Sequence, residues 1–300
     1  MTPNVDFDMS TLHTVATGLR FPEGPVALDD GTVLVPEIEG AALARVAPDG
    51  AVTRIHVGGG ANGAALGPDG AVYVDNSGGF TFGTDDDGIR GPVGGKEGNP
   101  GGTVQRVDLD TGEVADVLTH VDGERLGGLN DIVFDETGSC YVVDTGRGEI
   151  HYADVIARTI RTVASGLTLP NGMGLSPSGD RLYVNETYVG NVDVWDVVAP
   201  GELADQRVLF NDGGEHGFDG LAVDGAGNVC AANLAASGVS VISPDGEEIA
   251  RFATPVRDTY ITNLCFGGPD GDTAYIASAG RGILYAIRWP WGGLRLHCAR

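Results

Sequence analysis

A chain of 300 residues with 42 Asp and Glu against 18 Lys and Arg carries a net charge of −24, which argues against nucleic acid and anionic membranes as partners. No apolar run approaches the length of a membrane span, and residues 1–17 offer neither a basic start nor an apolar stretch, so no secretory signal is read and a cytoplasmic setting is expected. The 42% hydrophobic content suffices for a sizeable core, while 49 glycines scattered among short Val, Tyr and Leu runs indicate many short strands joined by tight turns.

In chain order, the first signal is HTVATGLRFPEG (13–24), which echoes RTVASGLTLPNG (161–172). The same outer-strand pattern therefore opens the chain, and the N-terminal strand is expected to complete the last repeat. Six Gly-containing turns follow, each ahead of a β-type run: DDGTVLVPE (Gly31), PDGAVYVDN (Gly70), ETGSCYVVD (Gly138), PSGDRLYVN (Gly179), GAGNVCAAN (Gly227) and PDGDTAYIAS (Gly271). The glycines are 39, 68, 41, 48 and 44 residues apart. Units of this length with four short strands are the signature of propeller blades. The expected fold is all-β, a single six-bladed β-propeller over residues 1–300, with four antiparallel strands per blade. The long second interval places an insertion near 76–102 between the second and third strands of the second blade. Phe80, Phe82 and Arg90 on this Gly-rich loop are expected to overhang the ligand-bearing face as a lid.

Eight residues before the six turn glycines stand Glu23, Asn62, Asn130, Asn171, Asp219 and Asn263, all bearing a side-chain oxygen. Inner strands of a propeller begin on one face around the axis, so this offset directs six oxygens to one channel mouth. Six residues after the same glycines come Glu37, Asn76, Asp144, Asn185, Asn233 and Ala277. The antiparallel second strand returns to that face, so the second polar set is expected beside the first. Capping of local backbone explains Asn or Asp at any single strand end. It does not explain carboxylates at only Glu23 and Asp219. That mixture suits one hard divalent cation, Ca²⁺ first, with Mg²⁺ and Mn²⁺ also admitted; Zn²⁺ matches least because no His or Cys occupies the ring. Asn62, Asn130 and Asn263 are expected to face substrate, together with His216 in the loop ahead of Asp219. Asp85-Asp86-Asp87-Gly88 reads as a solvated acidic loop. Cys140, Cys230 and Cys265, in or beside apolar runs, read as buried and reduced.

FPEGP (21–25), LNDIVFD (129–135), LPNGMGLSPSGDRLYVNET (169–187), FDGLAVDGAGNV (218–229) and TNLCFGG (262–268) resemble the ordered motifs of the senescence marker protein/gluconolactonase family. The resemblance implies a propeller that binds one divalent metal and hydrolyses lactones. Carried over by position, it implies Glu23, Asn171 and Asp219 as metal ligands, Asn130 as a fourth ligand or a substrate contact, and Asp219 as the general base. The sugar-lactone enzymes can carry an arginine where this chain has Gly128. Lactone opening by a polarised carbonyl and an activated water is therefore the expected activity, on a small-molecule substrate. Asp219 is read as base, nucleophile or water-orienting ligand. Fluorophosphate-type hydrolysis and a non-catalytic, calcium-stabilised binding propeller are the alternatives.

Overall fold

The computed structural model describes residues 7–214 and 217–298. They form six four-stranded antiparallel sheets in a ring. The innermost strands are Val26–Ala27, Ala61–Leu66, Leu129–Phe134, Pro170–Leu175, Phe218–Val223 and Ile261–Gly267, which define blades 1 to 6 in that order. Each innermost strand touches the next, and the last touches the first. The outer strand of blade 6 is His13–Thr17, paired with Ile283–Arg288 through His13 opposite Ala286 and Thr17 opposite Ile283. The ring is therefore closed by strands from the two ends of the chain, as the repeated N-terminal motif predicts.

Successive side chains of a strand point to opposite faces, and here each face meets a neighbouring blade. In the blade 1 strand Val33–Glu37, Val33 and Val35 join Cys265 and Leu284 of blade 6, whereas Leu34 joins Val72 and Val74 of blade 2. The same division recurs around the ring, giving six apolar cores, one at each blade junction. Second strands are covered on both sides, so they read as unbroken apolar runs without polar alternation. Cys140, Cys230 and Cys265 are buried within these layers.

The insertion leaves between Val72–Asn76 and Thr103–Val107, which remain paired with each other, and folds as a hairpin of Phe80–Thr84 with Arg90–Gly95. It leans onto blades 1 and 6. The Arg90 guanidinium grips Glu39, the Arg90 N–H donates to Gly280 O at 2.9 Å, and Arg281 donates to Asp87 O at 3.0 Å. Arg90 is thus a docking residue and does not hang over the ring.

Most of the second polar set is consumed locally, but Asn185 reaches the next blade: its Nδ2 donates to Asp219 O at 2.8 Å, and its buried Oδ1 has no partner. Glu37 accepts from Arg54 and the Arg20 N–H, Asn76 from the Gly60 and Gly78 N–H groups, and Asn233 from the Ala236 N–H. Asp144 accepts the N–H groups of Gly127, Gly128 and Arg147 at 2.7, 3.1 and 3.1 Å. Burial opposes its ionisation, but His151 and these backbone donors outweigh it and hold the carboxyl below its ordinary range. Asp144→Ala is expected to destabilise the protein by about 3 kcal/mol, because buried donors lose their acceptor. Equilibrium urea unfolding would measure this, and an unchanged midpoint would remove Asp144 from the anchoring role.

Candidate metal centre and its surroundings

Each ring residue sits at a β-bulge. In blade 3, Leu129 pairs with Asp144 and Ile132 with Val142, so Asn130 and Asp131 together oppose one residue. Asn171 and Gly172, Asp219 and Gly220, and Asn62 and Gly63 repeat this arrangement. Blades 1 and 6 carry an irregularity at the same place. A bulge re-aims the side chain it carries, and here it turns a strand-end oxygen toward the axis.

The residue after the ring position is glycine in four blades, for steric reasons. A Cβ on Gly24 would lie 2.8 Å from Gly63 Cα, one on Gly63 2.5 Å from Asn130 O, one on Gly172 2.3 Å from Leu221 N, and one on Gly220 2.2 Å from Asn263 Cγ. Each glycine therefore admits the next blade. In blade 3 the position is Asp131, whose carboxylate accepts the N–H of Met173 at 2.9 Å and so ties blade 3 to blade 4. In blade 6 it is Leu264, and the Thr262 hydroxyl donates across to Pro22 O at 2.8 Å.

Three ring residues share a further feature. Phe21, Leu169 and Gly217, each two positions before Glu23, Asn171 and Asp219, have φ of 57°, 48° and 68°. The corresponding Gly60, Gly128 and Ile261 are not left-handed. Phe21 and Leu169 hold this conformation without being glycine, a local strain of the kind found at functional sites. It separates Glu23, Asn171 and Asp219 from the other three members.

Glu23, Asn62, Asn171, Asp219 and Asn263 are buried and Asn130 is half-buried. The Asn171 amide lowers the Asp219 carboxyl and the Asn263 amide lowers that of Glu23, each opposing the effect of burial. Asn62 keeps a buried Oδ1 without a partner. Burial, followed by repulsion from Asp219, pushes the Glu23 carboxyl well above its ordinary 4.5. Burial pushes Asp219 up to about 7, with Asn171 opposing the shift and Asp131 adding to it. Asp131 rises to about 7, again through burial. Asp75 in blade 2 is fully buried with neither carboxylate oxygen partnered; burial and the charges of Asp131 and Asp144 push it well above 3.8. His216 lies outside the described residues.

Asp131 and Asp75 escaped the sequence reading. Aligning the residue after each ring position would have exposed Asp131, since four of the six units have glycine there. Asp75 lies within an apolar strand one residue before Asn76, and no repeat offset marks it.

Among the described residues no three His, Cys, Asp or Glu side chains are grouped to hold a metal by themselves. A cation here would need the amides. The donor set fits one: carboxylates in mutual repulsion, amide oxygens of Asn130 and Asn171, and an unpartnered Asn62 Oδ1. Below the ring an axial cavity of about 510 Å³, with Asp131 and Asn263 in its lining, extends to the C-terminal segment. That segment is pinned by a bridge of Gly293 to Asp224 and an Arg295–Asp29 ion pair of 3.2 Å.

A closed six-bladed propeller whose axis carries buried carboxylates and carboxamides on bulged inner strands defines the class. The chain belongs to the SMP-30/gluconolactonase/LRE-like family, whose characteristic region matches residues 21–280. It is 26% identical to a gluconolactonase of Zymomonas mobilis over 92% of this chain and 82% of that one. It is 30% identical to pentonolactonase XacC of Haloferax volcanii over 57% of this chain and 62% of that one. It is 24% identical to the diisopropyl-fluorophosphatase of Loligo vulgaris over 59% and 62%. Among solved structures, XC5397 from Xanthomonas campestris, described as a gluconolactonase, superposes with a TM-score of 0.77 at 19% identity, covering 97% and 95% of the two chains. Regucalcin of Agrobacterium tumefaciens, described as a calcium-binding protein, superposes with a TM-score of 0.70 at 18% identity, covering 93% and 95%.

The raised carboxyls carry a stability signature. With folded values near 7 against an ordinary 3.8, the native state of the metal-free protein binds more protons than the unfolded chain between those limits. Its stability is therefore expected to be higher near pH 4.5 than at pH 8, falling as pH rises through about 7. Added Ca²⁺ should stabilise most at pH 8, where the ligands are deprotonated. Melting curves with chelator and with Ca²⁺ test this; a metal-free Tm that climbs from pH 5 to pH 8 would contradict it.

Proposed function

We propose that this protein is a divalent-metal-dependent lactone hydrolase. The observation carrying the reading is the pair of buried carboxylates, Glu23 and Asp219, facing one axis beside amide oxygens and lacking any ion-pair partner among the described residues. Glu23, Asn130, Asn171 and Asp219 are the residues that would hold the cation, with Ca²⁺ the best match to an all-oxygen donor set. Similarity to gluconolactonase and pentonolactonase, and to a protein described as calcium-binding, supports both the substrate class and the metal.

When bound, the cation would act as a Lewis acid toward the ester carbonyl. The protein's own groups do the rest. In this reading half-buried Asn130 donates to the substrate oxygen. Asp219 accepts a hydrogen bond from the attacking water and orients it, or attacks the acyl carbon itself. In the first route water adds to the carbonyl carbon and gives its proton to Asp219, the ring C–O bond breaks, and that proton passes to the departing alkoxide to give the hydroxy acid. In the second the Asp219–carbonyl bond forms as the ring C–O bond breaks, and water then hydrolyses the acyl anhydride to free Asp219 and the hydroxy acid. The Asn171 amide favours the charged form of Asp219, and the Asn263 amide that of Glu23. Burial around these groups excludes bulk water and strengthens each interaction. Similarity to the squid fluorophosphatase supports a second reading, in which the electrophile is phosphorus.

Turnover of aldonolactones, aliphatic lactones and a fluorophosphate before and after chelation separates the readings. Lactone opening that chelator abolishes and Ca²⁺ restores is expected. Asp219→Asn should lower kcat by about 10³ or more while far-UV circular dichroism stays unchanged. Full activity in the folded variant, or turnover indifferent to chelator, would sink the proposal.

A further inference from the structure

Besides the six inter-blade cores, a seventh apolar cluster lies at the ring face, assembled from three separate parts of the chain. Phe21 and Ile38 come from blade 1, Ala279 and Tyr260 from blade 6, and Phe82 from the blade 2 hairpin. The Phe21 ring centroid is 5.0 Å from that of Phe82 and 5.3 Å from that of Tyr260. Phe21 is buried, whereas Phe82 and Tyr260 each keep an open side.

The cluster adjoins the ring. Phe21 is two residues before Glu23 and Tyr260 three before Asn263. Burial raises the Tyr260 phenol, and the charges of Asp85, Tyr188, Asp258 and Asp219 add to the shift. The hairpin is shaped around Tyr260: a Cβ on Gly91 would stand 2.5 Å from its hydroxyl, so only glycine fits there.

The arginines around the wall are tied up in docking the hairpin. The guanidinium groups that dock the hairpin are all engaged, Arg90 by Glu39, Arg281 by the Asp87 and Gly88 carbonyls, and Arg257 by Asp87 at 3.4 Å. Opposite, beside Asn130, Gly128 presents no side chain, and a Cβ there would meet nothing nearer than 3.8 Å. Two further apolar groups are exposed next to these elements: Tyr188, 74% exposed in the turn after the second strand of blade 4, and Phe80 at the hairpin base, 40% exposed.

We propose that the substrate lactone carries an apolar group, aromatic or long alkyl, on its ring, which rests against Phe82 and Tyr260 while the ester faces the axial ring. A polyhydroxylated sugar lactone would place hydroxyls against the ring faces of Phe82 and Tyr260, which offer only the Tyr260 hydroxyl to receive them, leaving the others desolvated and unpaired. This inference rests on the lactone-hydrolase reading of the same site.

The test compares γ-butyrolactones bearing a phenyl or heptyl group with a pentonolactone, using the full-length protein loaded with Ca²⁺. Wild type is expected to show kcat/KM at least about tenfold higher for the apolar lactones, the scale set by burying one such group. Phe82→Ala should lower kcat/KM for the apolar lactones about tenfold more than for the pentonolactone, mainly through KM, and Phe82→Leu should recover the heptyl substrate. A preference for the pentonolactone, or a Phe82→Ala loss equal for every substrate, would overturn the inference. If no lactone is opened, the catalytic reading falls separately. Calorimetric titration of the phenyl lactone then decides: binding that Phe82→Ala weakens supports the apolar wall, and no binding rejects it.

Discussion

The close approach of six inner strands at a common axis is the constraint on which the rest of the molecule depends. Bulges supply an extra residue at each crossing, and the following glycine removes the side chain that would strike the next blade. One device thus serves packing and chemistry together. At four crossings the strands touch where Gly24, Gly63, Gly172 and Gly220 stand, and the residue just before each is the ring residue. Moving the oxygens outward would open the ring, and enlarging the glycines would force the blades apart.

Convergence on the axis concentrates negative charge where water is scarce. Glu23, Asp131 and Asp219 resist ionisation there because burial withdraws solvent and their charges repel one another. The second polar set shows the contrast. Asp144 is equally hidden from solvent, yet its oxygens receive three backbone N–H groups, and it ionises readily. Glu23 and Asp131 also accept backbone N–H groups, but these do not outweigh burial, so similar side chains at similar depth ionise differently.

Much of the architecture was legible because repetition makes position informative. A turn glycine every 40 or so residues exposed the blades, the fixed offset exposed Glu23 and its five counterparts, and the echo between 13–24 and 161–172 exposed the closing strand. The offset was blind to residues that occur once. Asp131 replaces a repeated glycine and Asp75 interrupts an apolar strand, and both act through neighbours on another blade, which a single repeat cannot display. The hairpin was read as a mobile cover with Arg90 facing the site. Its actual seating depends on Glu39 and Gly280, which are far from it in sequence. The shared polarity of the two offset sets likewise concealed that Glu37, Asn76, Asp144 and Asn233 are satisfied within their own blades, whereas Asn185 reaches across to Asp219 O.

The pairing of His13–Thr17 with Ile283–Arg288 also bears on how the molecule is made. During synthesis His13–Thr17 emerges long before its partner, and it must wait without an edge to pair with until Ile283–Arg288 has been made. Until then blade 6 lacks its outer strand and blade 1 lacks its neighbour. Such distant pairing slows folding and leaves exposed strand edges open to wrong association. The heavy negative charge of the chain then has a role before any substrate arrives, since mutual repulsion keeps incomplete rings apart while they wait for closure.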